Sequence, residues 1–293
     1  MPRLYGAFLF VQSKIMMTHT FKNKLFTEDR PYLMGILNVT PDSFSDGGLF
    51  VNKDLAIKHV QQMITEGADI IDVGGESTRP GAVAVSADEE CQRVIPVIKA
   101  IREVSDIPIS IDTSKAEVIR EAVSAGASMI NDVNALRAEG AVEITAKLDL
   151  PVCLMHMQGE PRSMQHAPVY TDVVQEVKEF LSQRVEQCLK AGIKRENLII
   201  DPGFGFGKTL EHNLILFKHL GEFTQLDIPL LVGVSRKSMI GAVLDNASTE
   251  DRLYGSVALA TLAAWLGASI LRVHDVKATA DALNMCQAVR QSP

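Results

Sequence analysis

An eightfold recurrence constrains this chain more than any other feature. Short apolar runs at residues 32–37, 70–73, 108–111, 128–130, 151–155, 198–200, 229–234 and 269–273 break off into polar residues, and helical patterns lie between them. A brief apolar run bounded by turn chemistry is what a strand buried on both faces requires. Strands alternating with helices make βαβ units, whose crossovers leave the strands parallel. Eight units in 293 residues predict a single-domain α/β fold, the (β/α)8 TIM barrel. A doubly wound sheet is the runner-up, and it too collects ligand groups at strand carboxyl ends.

The spacing of the runs leaves the third and fourth units short, so their helices should be compact. Ser86 with Glu89 and Ser114 with Glu117 have capping-box spacing and should open two helices. The barrel should occupy residues 31–293. Residues 1–30 read as an N-terminal extension, poorly ordered at least to residue 16, and Met16 or Met17 is an alternative start. The apolar stretch at residues 4–11 resembles a signal-peptide core, but Gln12, Ser13 and Lys14 follow it with no small-residue cleavage site.

Composition narrows the function. A net charge of −7 supplies no global basic field, so neither nucleic acid nor an anionic membrane is an expected partner. No apolar stretch approaches the roughly 20 residues of a membrane span. Cys91, Cys153, Cys188 and Cys286 are scattered without zinc-ligand or C-x-x-C spacing and read as reduced thiols, as expected of a cytoplasmic protein.

The chemistry should lie where the runs end. The runs terminate at Asn38, Asp112, Asn131-Asp132, His156, Asp201, Ser235-Arg236-Lys237 and His274-Asp275, with Asp72 and Arg272 inside two of them. In a barrel these positions surround one mouth, which makes a single active site. Asp72 and Asp132 serve equally well as structural partners for backbone and neighbouring strands.

The segment 201–209, Asp-Pro-Gly-Phe-Gly-Phe-Gly-Lys-Thr, ends like a nucleotide-binding P-loop, but Pro202 stands where the first glycine should be. Proline removes an N–H and fixes φ, so that cradle fails. Instead Asp201 is the ligand group, and the glycines let backbone pack closely beneath a flat substrate, with Phe204 and Phe206 either as aromatic surface or as simple core packing. Ser235 should cap a helix whose first turn carries Arg236 and Lys237, against the dipole, which favours a ligand for Lys237. Arg272 and His274 lie two apart on a strand and share a face. An interior arginine demands an anion, and phosphate fits. Together these groups suggest a transferase or lyase acting on a phosphorylated heterocycle, with no nucleophile–base pair.

Seven motifs in order, Gly-Ile-Leu-Asn-Val-Thr-Pro-Asp-Ser-Phe-Ser-Asp-Gly-Gly, Gly-Gly-Glu-Ser-Thr-Arg-Pro-Gly, Asp-Thr-Ser-Lys, Ile-Asn-Asp, Asp-Pro-Gly-Phe-Gly-Phe-Gly-Lys, Ser-Arg-Lys-Ser and Arg-Val-His-Asp, resemble the bacterial dihydropteroate synthase family. The resemblance runs from about residue 33 to about 289. It implies condensation of 6-hydroxymethyl-7,8-dihydropterin diphosphate with p-aminobenzoate, giving 7,8-dihydropteroate and diphosphate, with Mg²⁺ as cofactor. Carried over by motif, Asp112, Asn131, Asp201, Lys237 and Met155 would hold the pterin. Asn38, Arg272 and His274 would bind diphosphate, Asn38 also touching the metal. Thr78, Arg79, Pro80, Phe44, Phe206 and Ser238 would form the p-aminobenzoate pocket. Asn38, Lys237, Arg272, His274 and Asp46 would carry catalysis.

A pterin-binding methyltransferase barrel would keep Asp112, Asn131 and Asp201 without needing the Ser-Thr-Arg-Pro loop or Ser-Arg-Lys-Ser. An inactive pterin-binding paralogue need not retain Asn38, Lys237, Arg272 and His274. The loop 133–137 matches no firm motif. The apolar helix expected near residues 253–266, with Trp265, suggests a homodimer.

Overall fold

The computed structural model describes residues 30–39, 49–77, 84–159, 164–165 and 167–293. Eight strands appear where the apolar runs place them: β1 (Tyr32–Asn38), β2 (Ile70–Gly74), β3 (Ile109–Asp112), β4 (Met129–Asp132), β5 (Val152–Met155), β6 (Leu198–Asp201), β7 (Leu231–Val232) and β8 (Ile270–Val273). The helices between and after them are α1 (Leu49–Thr65), α2 (Ala87–Val104), α3 (Ala116–Ala125), α4 (Ala141–Leu148), α5 (Val173–Lys190), α6 (Leu210–Lys218), α7 (Ser238–Val243), α8 (Leu253–Trp265) and α9 (Val276–Arg290). The third and fourth helices are indeed compact, at 10 and 8 residues.

All strand pairs are parallel, in the order β6-β5-β4-β3-β2-β1-β8-β7. A parallel bridge between Ile200 and Leu230 joins β6 to the segment leading into β7, and this closes the ring. The two-residue β7 is the weak stave of the barrel.

Register decides which side chains point inward. Met34 aligns with Ile70 and Arg272, Asp72 with Ser110, Asp112 with Asn131, Asn131 with Cys153, and Met155 with Asp201. Alternate residues therefore line the barrel. Tyr32, Met34, Ile70, Met129, Cys153, Ile199, Leu231 and Ile270 form one interior apolar cluster, the floor. The outward residues, including Leu33, Ile71, Ile111, Ile130, Leu154 and Ile200, join the larger core beneath the helices. Above the floor the interior turns polar, with Asp72, Ser110, Asn131 and Asp201 all buried. Helices press closely on the strands: a Cβ on Gly35 would lie 2.7 Å from Sδ of Met63 on α1.

Two of the expected caps differ. Ser86 does cap α2, accepting from the Glu89 N–H at 3.2 Å, and Asp88, Glu89 and Glu90 complement the dipole in the first turn. Ser114 does not cap α3, because that helix starts later, with Lys115 at the cap position and no side-chain cap bond. The Lys115 ammonium instead bridges Glu76 and the buried Glu90. Ser235 caps nothing either: α7 begins at Ser238, so Arg236 and Lys237 precede the helix rather than opposing its dipole from the first turn.

All four cysteines are free. Among the described residues, no helix is long and apolar enough to cross a membrane.

Candidate active site

The polar layer is organised by Arg272 on β8. Its Nε donates to Oδ2 of Asp72 at 2.6 Å and its Nη2 to Oδ2 of Asp112 at 2.7 Å. The Asn131 amide donates to the same Asp72 oxygen at 3.1 Å. Asp72 is fully buried, and its Oδ1 has no hydrogen-bond partner among the described residues. Burial opposes the Arg272 charge, but Asp72 and Asp112 outweigh it and hold the guanidinium above its ordinary value. Burial pushes the Asp112 carboxyl up to about 7, against the pull of Arg272. An interior arginine thus does demand anions, and in this structure two carboxylates meet it. It has five donors, and these contacts engage Nε and Nη2.

The second half of the site is the loop after β6. Asp201 accepts from the Gly203 N–H at 2.7 Å, which orients the carboxylate at the barrel mouth. Burial raises its pKa, while Lys237 pulls it back. The Lys237 ammonium donates to the Phe204 carbonyl and stands 4.6 Å from the centre of the Phe206 ring. Burial lowers Lys237 to about 8, against the pull of Asp201.

The glycines of this loop serve a different neighbour from the one expected. Gly203 has φ +69°, and a Cβ there would sit 1.9 Å from the His156 carbonyl; at Gly207 the Gln158 carbonyl would be 2.3 Å away. The close approach is to the segment after β5. Phe204 is not ligand surface but core, fully buried and 5.5 Å from the Phe217 ring. Phe206, half-buried, packs against the cluster of Met155, Met157 and Met164, so Met155 and Phe206 share one apolar wall.

Asn38 ends β1 with its side chain exposed at the mouth. His274 follows β8, and both its backbone N–H and its Nδ1 contact Oγ of Ser235, at 3.1 and 3.0 Å. This is what Ser235 does instead of capping. Arg236, at φ +57°, pairs with Asp275, so the turn between β7 and α7 is tied to β8 twice. Ser238 is exposed as the first residue of α7. Phe44, Asp46, Thr78, Arg79 and Pro80 lie outside the described residues.

The structure therefore brings Asp112, Asn131, Asp201, Lys237, Met155, Phe206 and Arg272 around one mouth. Asp132 has the structural alternative: its two oxygens accept from the N–H groups of Asn134 and Leu136 at 2.7 and 2.8 Å, and hold the loop 133–137. Asp72 also takes the structural alternative, as the shared acceptor of Arg272 and Asn131. Sequence reasoning missed one feature. Lys208 is buried, with Nζ 2.9 Å from Nδ1 of His156 and donating to the carbonyls of Gly203 and Phe206 at 2.8 and 3.1 Å. No local sequence signal marks it.

A flat ligand bearing both hydrogen-bond donors and negative charge suits such a mouth. The carboxylates and the Asn131 amide can read a heterocycle edge, and Arg272 can meet an anion.

Comparison with known proteins places this geometry. The sequence profile of the family described as "Pterin binding enzyme" matches residues 34–274. Dihydropteroate synthase of Escherichia coli K12 is 56% identical over 258 residues, covering 88% of this chain and 91% of that protein. The Yersinia pestis dihydropteroate synthase, solved as a sulfonamide drug complex, superposes with a TM-score of 0.86 at 53% identity, covering 90% of this chain and 95% of that one. The Xanthomonas albilineans dihydropteroate synthase solved with 4-aminobenzoic acid gives 0.86 at 52% identity, with the same coverages of 90% and 95%. By profile, sequence and barrel alike, the chain belongs to the pterin-binding enzyme family, among relatives that are bacterial dihydropteroate synthases.

Proposed function

We propose that the chain is a dihydropteroate synthase, joining 6-hydroxymethyl-7,8-dihydropterin diphosphate to p-aminobenzoate. The observation that carries this reading is the set Asp112, Asn131, Asp201 and Lys237 converging on one mouth beside Arg272. Asp201, oriented by the Gly203 N–H, accepts from the aminopyrimidinone edge of the pterin. Asn131 and Asp112 complete the polar rim, while Met155 closes an apolar face. Arg272 and His274 hold the diphosphate, and the Arg272 guanidinium meets the charge that grows on it as the carbon–oxygen bond breaks. The carboxylates around the ring stabilise positive charge on the pterin methylene. The amine of p-aminobenzoate is neutral at pH 7 and attacks that carbon without a strong base. A carbon–nitrogen bond forms, the carbon–oxygen bond breaks, and one proton leaves the nitrogen. Thr78, Arg79, Pro80, Phe44, Phe206 and Ser238 are assigned to the p-aminobenzoate pocket, and Asp46 to the catalytic group, by their motifs.

Mg²⁺ fits as an ion carried mainly by the substrate. Among the described residues no group of three His, Cys, Asp or Glu side chains gathers to hold a metal. Asn38 offers a neutral, exposed oxygen at the mouth, and Mg²⁺ is commonly held by one or two protein groups together with substrate phosphates and waters. When bound, it neutralises phosphate charge.

The test is incubation with the pterin diphosphate, p-aminobenzoate and Mg²⁺. Diphosphate release that requires the amine and is blocked by a sulfonamide is expected; release independent of the amine overturns the reading. We place the reaction in the cytoplasm.

The active form is a homodimer built on α8 and α9. Tyr254, Leu262 and Trp265 on α8, with Met285 and Val289 on α9, leave large apolar side chains in water, a pattern that marks an interaction surface. Sedimentation giving only monomer at micromolar concentration rejects that assembly.

A further inference from the structure

The loop after β6 holds an ionisable group that the mechanism above does not use. Lys208 is 3% exposed, and its Nζ donates to the carbonyls of Gly203 and Phe206 and contacts Nδ1 of His156. No carboxylate lies among these contacts. That is an expensive way to tie down a loop, since burying an amine disfavours its charge, and an amide would bind the same carbonyls. Asn213 does so next door: its Nδ2 donates to the carbonyls of Lys208 and Thr209, and its Oδ1 accepts from the Gly205 N–H.

The protonation state does not alter the clamp. An ammonium has three N–H donors and a neutral amine two, so both carbonyls are served either way. His156 accepts the third bond or donates to the amine lone pair. Burial and the neighbouring Lys208 hold His156 neutral, at about 2.

What the clamp fixes is the pterin end of the site. Gly203, whose carbonyl Lys208 takes, gives its N–H to Asp201. Phe206, whose carbonyl Lys208 also takes, presents its ring to Lys237, and the intervening Phe204 carbonyl accepts from Lys237. Both ends of the four-residue bridge 203–206 between Asp201 and Lys237 thus hang on one nitrogen.

We propose that Lys208 is a positioning residue for the pterin: by fixing the Gly203 and Phe206 carbonyls it sets the Asp201 carboxylate and the Lys237 ammonium for the heterocycle. This rests on the proposed function. A residue acting only on the fold would weaken both substrates equally, whereas Lys208 acts chiefly on the pterin and reaches p-aminobenzoate only through the Phe206 ring.

The test compares the full chain with Lys208→Met, which keeps length but has no donors, and with Lys208→Gln, which keeps an N–H. For Lys208→Met, KM for the pterin diphosphate and the Kd of 6-hydroxymethylpterin should rise on the order of tenfold or more, while KM for p-aminobenzoate, reached only through the Phe206 ring, rises markedly less. Lys208→Gln should recover part of the loss. Unchanged pterin parameters overturn the proposal, as do equal losses for the two substrates. Failure of both variants to fold also overturns it, because Lys208 is then a folding residue. The wild-type chain separates the two readings: an active wild type with indifferent variants sinks only the positioning role, and a wild type that neither turns over nor binds pterin sinks the function and this proposal with it.

Discussion

Arg272 and Lys208 both bring a basic side chain into the carboxyl end of the barrel, yet two carboxylates meet the first and none touches the second. Arg272 is held charge against charge. Asp72 is bound from β2 and Asp112 from β3, so the guanidinium reaches past β1 and ties β8 to the strands two and three places round the ring. Lys208 is held by neutral acceptors of its own loop and of the segment after β5. The first arrangement keeps a fixed charge ready for a charged ligand, while the second spends an amine on backbone geometry. The difference teaches that buried charge near a site is not one kind of evidence: its partners decide whether it meets the ligand or places the groups that do.

The largest effect expected from breaking this contrast comes from Arg272→Ala. Removing one partner of a buried ion pair costs about 3–5 kcal/mol, which denaturant unfolding would report. Turnover should fall about 100- to 1,000-fold, the loss typical of deleting a group that stabilises developing charge. Pterin affinity should fall much less. Unchanged turnover of the diphosphate substrate sinks the mechanism.

Lys237 sharpens the comparison through pH. Its folded pKa lies at about 8, below the ordinary lysine value. Burying its charge therefore costs stability fully below about pH 8, and that cost fades as pH rises through 8 toward the unfolded value. Activity has the opposite sign if the ammonium holds the ligand. kcat/KM for the pterin diphosphate should decline about tenfold per pH unit above about 8, and Lys237→Arg should move that limb upward. A limb that stays in place in the arginine variant assigns it to another group.

The smallest effect belongs to the acceptor side of the Lys208 clamp. His156→Leu removes one contact of Nζ but leaves both carbonyls served, so unfolding should report a loss of about 1–3 kcal/mol. Pterin affinity should move less than in Lys208→Met. If His156→Leu disturbs pterin binding as much as Lys208→Met does, the His156 contact rather than the carbonyl clamp is the important one.

Much of this was legible in the chain. Apolar runs flanked by turn residues are strands because both faces must leave water, and their order gives the barrel. The inward set followed from period two, which put Arg272 and His274 on one face and Asp112, Asn131 and Asp201 at strand ends. Capping was legible where it depends only on local backbone, as at Ser86, and failed where a distant partner competes. Ser114 lost to a helix that begins later, and Ser235 turned to His274, 39 residues away.

By itself, then, the sequence determined the eight staves, their order and the polar rim, together with the family-specific motifs. These follow from short-range patterning, and the alternation of inward and outward side chains along each strand transmits it to three dimensions. The tertiary structure alone decided which polar groups share protons and charge. Asp72 and Arg272 stand 200 residues apart and meet only because the ring closes. Lys208, in a glycine-rich loop that resembles a phosphate cradle, points inward because Gly203 and Gly207 let that loop lie against the carbonyls of His156 and Gln158. Contacts of that range depend on closure and packing, which no local window of sequence contains.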